Sequence, residues 1–175
     1  IRRPAIDPPA KAIAVTSFYA ALPEDGEIKA LTNSSKRKIA ALESVFRLHD
    51  RASVYDIKVI TTQQAWVGLY RRAIILVSEI ALELLDAEEL QALVAHEMAH
   101  EYVWDRWEAA REPKDHIALK KLELYCDGIA VATLPLIGVR PTRFYSALRK
   151  IVHFNIDRFG MAAATPDGHP SLDER

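Results

Sequence analysis

His96-Glu97-Met98-Ala99-His100 sets two imidazoles four residues apart, with a carboxylate directly after the first. On a helix that spacing amounts to about one turn, so both rings lie on one face and a single divalent ion can reach both. Zinc takes imidazole nitrogen at about 2.0–2.1 Å, and Glu97 stands where a general base would face an activated water. The pattern implies metal-assisted hydrolysis. A catalytic zinc also needs a third protein ligand and a vacant position. Glu123 and Asp127, four residues apart further along the chain, offer a carboxylate ligand and a partner for the far nitrogen of a ligating histidine, which would fix its tautomer and ring orientation. The bland alternatives are a pair of hydrogen-bonded core histidines and an exposed acidic face. His116 competes as third ligand but has no acidic residue four positions on.

Such groups work only on elements that bring them together. Asp86 reads as an N-cap with Glu89 as its capping-box partner, and Leu90, Leu93 and Val94 form an apolar stripe, which puts both histidines well inside one helix. Asp115 caps a second helix through Ile117, Leu122, Tyr125, Ile129 and Val131 to about Leu134, with Gly128 permitting close approach of the two helices. Val54–Thr61, Ala65–Leu69 and Ala73–Ser78 carry the Val, Ile, Tyr and Trp signals of strands, and their short connections predict a sheet of about three strands.

The remaining stretches support this centre. Ser34–His49 reads as one helix whose Ser35-Lys36-Arg37-Lys38 start is a solvated first turn. Ala12–Tyr19 reads as a strand or extended arm, and Pro23-Glu24-Asp25-Gly26 as a turn. Thr142 caps a third helix through Phe144, Leu148, Ile151 and Val152, near whose end His153 packs. Trp104 and Trp107 read as a packing seam. Residues 160–170 form a mobile loop that delivers His169, as donor to a developing oxyanion or as a cap on the open metal position.

A chain of 175 residues, half of them apolar, can bury one sizeable core, so 1–175 is expected to be a single domain with an extended lead over 1–11. The net charge of −1 gives no electrostatic argument for nucleic acid or an anionic membrane surface. The lone Cys126 excludes an internal disulfide and is expected to be a buried filler. No apolar run approaches the length that spans a bilayer. The chain starts at Ile1 with a proline-punctuated lead; a removed signal or anchor fits that start and favours an extracytoplasmic location over a cytoplasmic one.

H-E-x-x-H followed by E-x-x-x-D resembles the gluzincins, in particular the zinc peptidases that include HtpX and the CAAX prenyl endopeptidases, with their soluble minigluzincin relatives. The resemblance runs from about Tyr55 to Arg175 and takes in Tyr55–Ile60, Gln64–Val67, Ile74–Ser78, Gly138–Arg143 and the late His169-Pro170 segment. It implies an α+β, zincin-like fold, mainly helical with a small sheet beside the active-site helix. It makes His96, His100 and Glu123 the ligands of one zinc per chain, Glu97 the base, and Asp127 the partner of His96. It also sets Ala65-Trp66-Val67 on a cleft-side edge to which an extended peptide adds as a strand. Gln64 departs from the family's usual asparagine, and Leu69-Tyr70-Arg71-Arg72 replaces its glycine-rich turn. A metzincin is excluded, because Val103 and Arg106 stand where that motif needs Gly and His. The expected function is a metalloendopeptidase acting on peptide or unfolded protein; the alternative is a silent or latent zinc-binding module with a chaperone-like or scaffold role.

Overall fold

The computed structural model describes residues 8–21, 26, 30–52, 54–160 and 169–175. Its elements run α1 (Pro8–Ala21), α2 (Asn33–Ala41), α3 (Glu43–Leu48), β1 (Asp56–Ile60), β2 (Val67–Tyr70), β3 (Ile74–Ser78), α4 (Glu79–Leu84), α5 (Ala87–Ala99), α6 (Trp104–Arg111), α7 (His116–Thr133) and α8 (Thr142–Phe159). The fold is α+β, mostly helical with one small mixed sheet.

β3 is the central strand. It pairs parallel with β1 and antiparallel with β2, giving the order β1-β3-β2. Its Ile-Ile-Leu-Val-Ser sequence is buried at every position, as a strand covered on both faces should be. One face meets α4 and α5 through Ile75 and Val77; the other meets α1 through Ile74 and Leu76.

α5 is the axis of the molecule. Asp86 accepts the Glu89 N–H and Glu89 accepts the Asp86 N–H, both at 2.9 Å, so the capping box forms as the spacing predicts. The helix is buried on nearly all sides, with Leu90, Leu93, Val94 and Met98 in the main core beside Val45, Phe46, Leu134 and Phe144. Glu89 does more than cap: its buried carboxylate also accepts from Ser146 Oγ and Lys150 Nζ of α8, each at 2.7 Å.

Several expectations need correcting. Residues 12–19 are neither strand nor arm but lie in α1, because Ala14 and Phe18, one turn apart, bury against Ile60, Ile74 and Leu76. Residues 8–11 of the expected lead belong to that helix, while 1–7, the 161–168 part of the expected loop and most of the Pro23–Gly26 turn lie outside the described residues. The helix expected over Ser34–His49 is two helices broken at Leu42, whose N–H bonds back to Ile39 in a tightened turn; this redirects α3 so that Val45 and Phe46 bury. Lys38 is not merely solvated, since its Nζ donates to the Leu82 carbonyl at 2.7 Å. α5 ends at Ala99 and tightens into a 3₁₀ turn over His100–Tyr102, so only His96 is well inside the α-helix. Gly128 points away from α5, for a Cβ there would meet nothing within 4 Å. Cys126 and Ala130, both fully buried, are the small residues of α7 that pack inward instead.

Candidate metal centre

The site forms where α5 and α7 cross beneath β2. α7 starts as expected from Asp115, whose carboxylate accepts the Ala118 N–H at 3.0 Å. Seven and eleven residues into it, Glu123 and Asp127 fall on the buried face opposite His96 and His100.

Both imidazoles turn Nε2 toward one carboxylate. His96 Nε2 lies 3.2 Å from Glu123 Oε2, and His100 Nε2 lies 3.6 Å from Glu123 Oε1. Two ligand atoms held at zinc–nitrogen and zinc–oxygen lengths at a tetrahedral angle would be about 3.4 Å apart. Glu123 Oε2 is buried without a true hydrogen bond, although His169 Nδ1 also lies within 3.2 Å of it. A buried anionic oxygen facing imidazole nitrogens at these spacings fits a divalent cation, and nitrogen with oxygen donors suits zinc. Ligand atoms of His96, Glu97 and His100 also lie within 4.8 Å of one another, so both glutamates border the same space.

The other ring nitrogen of His96 meets Asp127: Nδ1 is 2.7 Å from Oδ1, though off the line of a straight hydrogen bond. The same Oδ1 accepts from the guanidinium of Arg175, which is itself nearly buried. His100 Nδ1 has Cys126 Sγ at 3.7 Å, and burial pushes that thiol up, so it stays a neutral filler.

Electrostatics separate the groups. Burial would depress His96, but its contacts with Asp127 and Glu123 outweigh it and raise the pKa to about 10. Burial and then the His96 charge push His100 down to about 4. Glu123 is held far below the usual carboxylate range despite burial, through His169 and His96. Burial pushes Glu97 up to about 7, against the pull of His96.

Glu97 also accepts the backbone N–H of Leu69. Ser78 N–H bonds to the Trp66 carbonyl, which fixes the phase of the β2–β3 ladder: Val67 and Leu69 then turn their N–H and C=O groups away from β3. The backbone of β2 that is not paired with β3 therefore faces the cleft at Val67 and Leu69, open at Val67 and at the Leu69 carbonyl. Ala65 and Trp66 line the cleft, but their backbone is already engaged. Asn155 takes both polar groups of Ala65 at 2.9 Å, and Ser78 takes those of Trp66. The Trp66 ring lies over Gly68, where a Cβ would come within 3.0 Å of it.

His169 lines the cleft beside Glu97. His116 is exposed at the first position of α7, outside the cluster, and His153 is exposed on α8. Trp104 and Trp107 stack on each other, and Trp107 meets His100 edge-on at 6.1 Å, so the pair borders the site besides packing. Three contributors escape sequence reasoning. Asn155 interrupts the apolar spacing of α8, a visible signal. Arg175 had only its place in the late segment. Glu101 is buried and receives Tyr55 Oη and Arg72, whose terminal nitrogen is 2.7 Å away; nothing in its neighbours in sequence suggests that.

The model of peptidase family M48 matches residues 29–110, a span that includes His96, Glu97 and His100 and ends before Glu123. The match supports a zinc metallopeptidase of that family and no particular member within it. No curated protein and no solved structure matches the chain. No helix among the described residues is long and apolar enough to cross a membrane.

Proposed function

We propose that this protein is a zinc-dependent endopeptidase of family M48 that cuts extended peptide or unfolded protein segments. The observation that carries this is the convergence of His96 Nε2, His100 Nε2 and the Glu123 carboxylate beside Glu97, at the open edge of β2. In this reading His96, His100 and Glu123 hold the ion, and Asp127 with Arg175 orients His96. Zinc, when bound, acts as a Lewis acid on water and on the scissile carbonyl.

The chain's own groups do the rest. Val67 offers its backbone N–H and C=O, and Leu69 its C=O, to the substrate as a neighbouring strand would, with Ala65 and Trp66 walling the cleft. Glu97, within reach of the His96 and His100 nitrogens, takes the proton of the attacking water and returns it to the leaving amine. His169, at the cleft, donates to the negative charge that develops on the carbonyl oxygen.

The test is a pair of measurements on the zinc-loaded protein: cleavage of an unstructured protein, and metal content, for the parent and for Glu97→Gln. Retained zinc with lost cleavage is expected; equal cleavage removes the base. A latent form is favoured by one observation, the 3.2 Å between His169 Nδ1 and Glu123 Oε2, which would let His169 occupy the centre at rest. A latent enzyme would gain activity in His169→Ala, whereas a donor role requires that variant to lose it.

A further inference from the structure

The cleft does not end at Glu97. It continues into a second cavity of about 750 Å3 between the β2–β3 turn and α6, whose walls are Trp104, Trp107, Arg71 and Arg111. The indoles stack with centroids 5.8 Å apart. The Arg111 guanidinium lies 5.2 Å over the Trp107 ring and that of Arg71 lies 5.7 Å over Tyr70. A guanidinium laid on an aromatic face keeps its edge N–H groups for a planar acceptor, so each is set to grip a carboxylate.

These two cations differ from Arg72 beside them. Arg72 is committed to Glu101 through Nε at 3.1 Å and its terminal nitrogen at 2.7 Å, whereas Arg71 and Arg111 have no ion pair among the described residues. The acidic groups bordering the cavity are Glu108 on its rim, with Glu97 and Glu123 at the centre. The turn is unusual as well. Arg71 and Arg72 both have positive φ, 47° and 55°, in a tight turn closed by the Ala73 N–H on the Tyr70 carbonyl, a conformation that ordinarily falls to Asn-Gly. Holding two arginines there sends one inward to Glu101 and leaves the other over Tyr70 at the cavity. The opposite end of the cleft, about 400 Å3, is different in kind: Leu93, Leu148, Ile151 and Val152 line it, and its one arginine, Arg175, is paired with Asp127.

We infer that the Trp104–Trp107 end of the cleft is a subsite for an acidic side chain of the substrate, selected by Arg71 and Arg111. The inference rests on the peptidase reading for its substrate class. The indoles take the methylenes of a glutamate and the guanidinium groups its carboxylate, while an apolar side chain on the other side of the scissile bond enters the Leu93–Ile151 end.

The test uses the zinc-loaded protein and a set of unstructured fluorogenic peptides in which one glutamate, or its uncharged isostere glutamine, is walked through the positions flanking the cleaved bond. At one position on one side, glutamate should raise kcat/KM by about five- to tenfold over glutamine, and added salt should shrink the ratio. In Arg71→Gln/Arg111→Gln, and more weakly in Arg111→Gln alone, the ratio should fall below twofold. Equal cleavage of both series by the parent, or a ratio undiminished in the double variant, overturns the subsite. If no peptide is cut, the peptidase reading falls separately, and the subsite is decided by binding of the same peptides to zinc-loaded Glu97→Gln, read by tryptophan fluorescence. A fivefold tighter Kd for the glutamate peptide supports it; equal Kd values overturn it.

Discussion

Asp127 Oδ1 lies 2.7 Å from His96 Nδ1 and at the same time accepts from Arg175, so one carboxylate oxygen joins the centre to the last residue of the sequence. Held this way, the ring can present only Nε2 toward Glu123. Asp127→Asn should therefore weaken zinc binding by about 10- to 100-fold, the usual effect of losing such a partner. Arg175→Gln should act in the same direction but less, because Asp127 remains. Competition against a chromophoric chelator measures both; unchanged affinity in Asp127→Asn would remove the orienting role.

Removing the metal and removing the base should separate cleanly. Chelation is expected to abolish cleavage, with zinc restoring it, and to lower Tm, since a ligand at a thousand times its Kd stabilises by about 4 kcal/mol. Glu97→Gln should keep the zinc and the high Tm but lose about 10²- to 10⁴-fold in kcat. Glu123→Gln should lose the metal itself. Calorimetry with and without zinc on the three proteins shows whether the two glutamates bordering the ion have these different duties.

The histidines, their helix and the strands around them were legible because each depends on local signals: the Asp86–Glu89 box, the Asp115 cap, the all-apolar run of β3. Illegible features depended on distant partners. Residues 12–19 have the β-branched content of a strand, yet Ala14 and Phe18 fit the back of the sheet only at helical spacing. Gly128 looked like a close-packing glycine but faces outward, and the contact it was expected to make belongs to Cys126 and Ala130. The Glu101 cluster draws Tyr55 from before β1 and Arg72 from the hairpin, a meeting that only the finished sheet creates.

Glu89 makes the fold sensitive to acid. Burial raises its carboxyl, but bonds from Lys150, the Asp86 N–H and Ser146 outweigh that and leave it below the ordinary value. Below about pH 4.3 the unfolded chain then binds the proton more readily than the folded one, so the stabilisation is complete above that pH and fades as the pH falls through the lowered value. Glu89→Gln should cost about 2 kcal/mol at neutral pH and flatten the decline of Tm in acid. Thermal melts from pH 7 down to pH 3 test this; parallel curves for parent and variant would contradict it.

Asn155 ties the wall of the cleft to α8. Its Oδ1 accepts the Ala65 N–H and its Nδ2 donates to the Ala65 carbonyl, both at 2.9 Å, so a side chain pairs with that residue as an adjacent strand would. Asn155 and Ala65 are both buried, and truncation strands two backbone groups without water. Asn155→Ala should cost about 2–3 kcal/mol, which in a chain of this size lowers Tm by about 5–10 °C. Asn155→Asp, which keeps the acceptor but loses the donor and sets a carboxylate against a carbonyl, should do no better. Because Ala65 leads directly into Trp66 and the open backbone at Val67, the freed segment should raise KM several-fold with a smaller change in kcat. An unaltered KM in a destabilised Asn155→Ala would confine the residue to the fold and detach it from substrate binding.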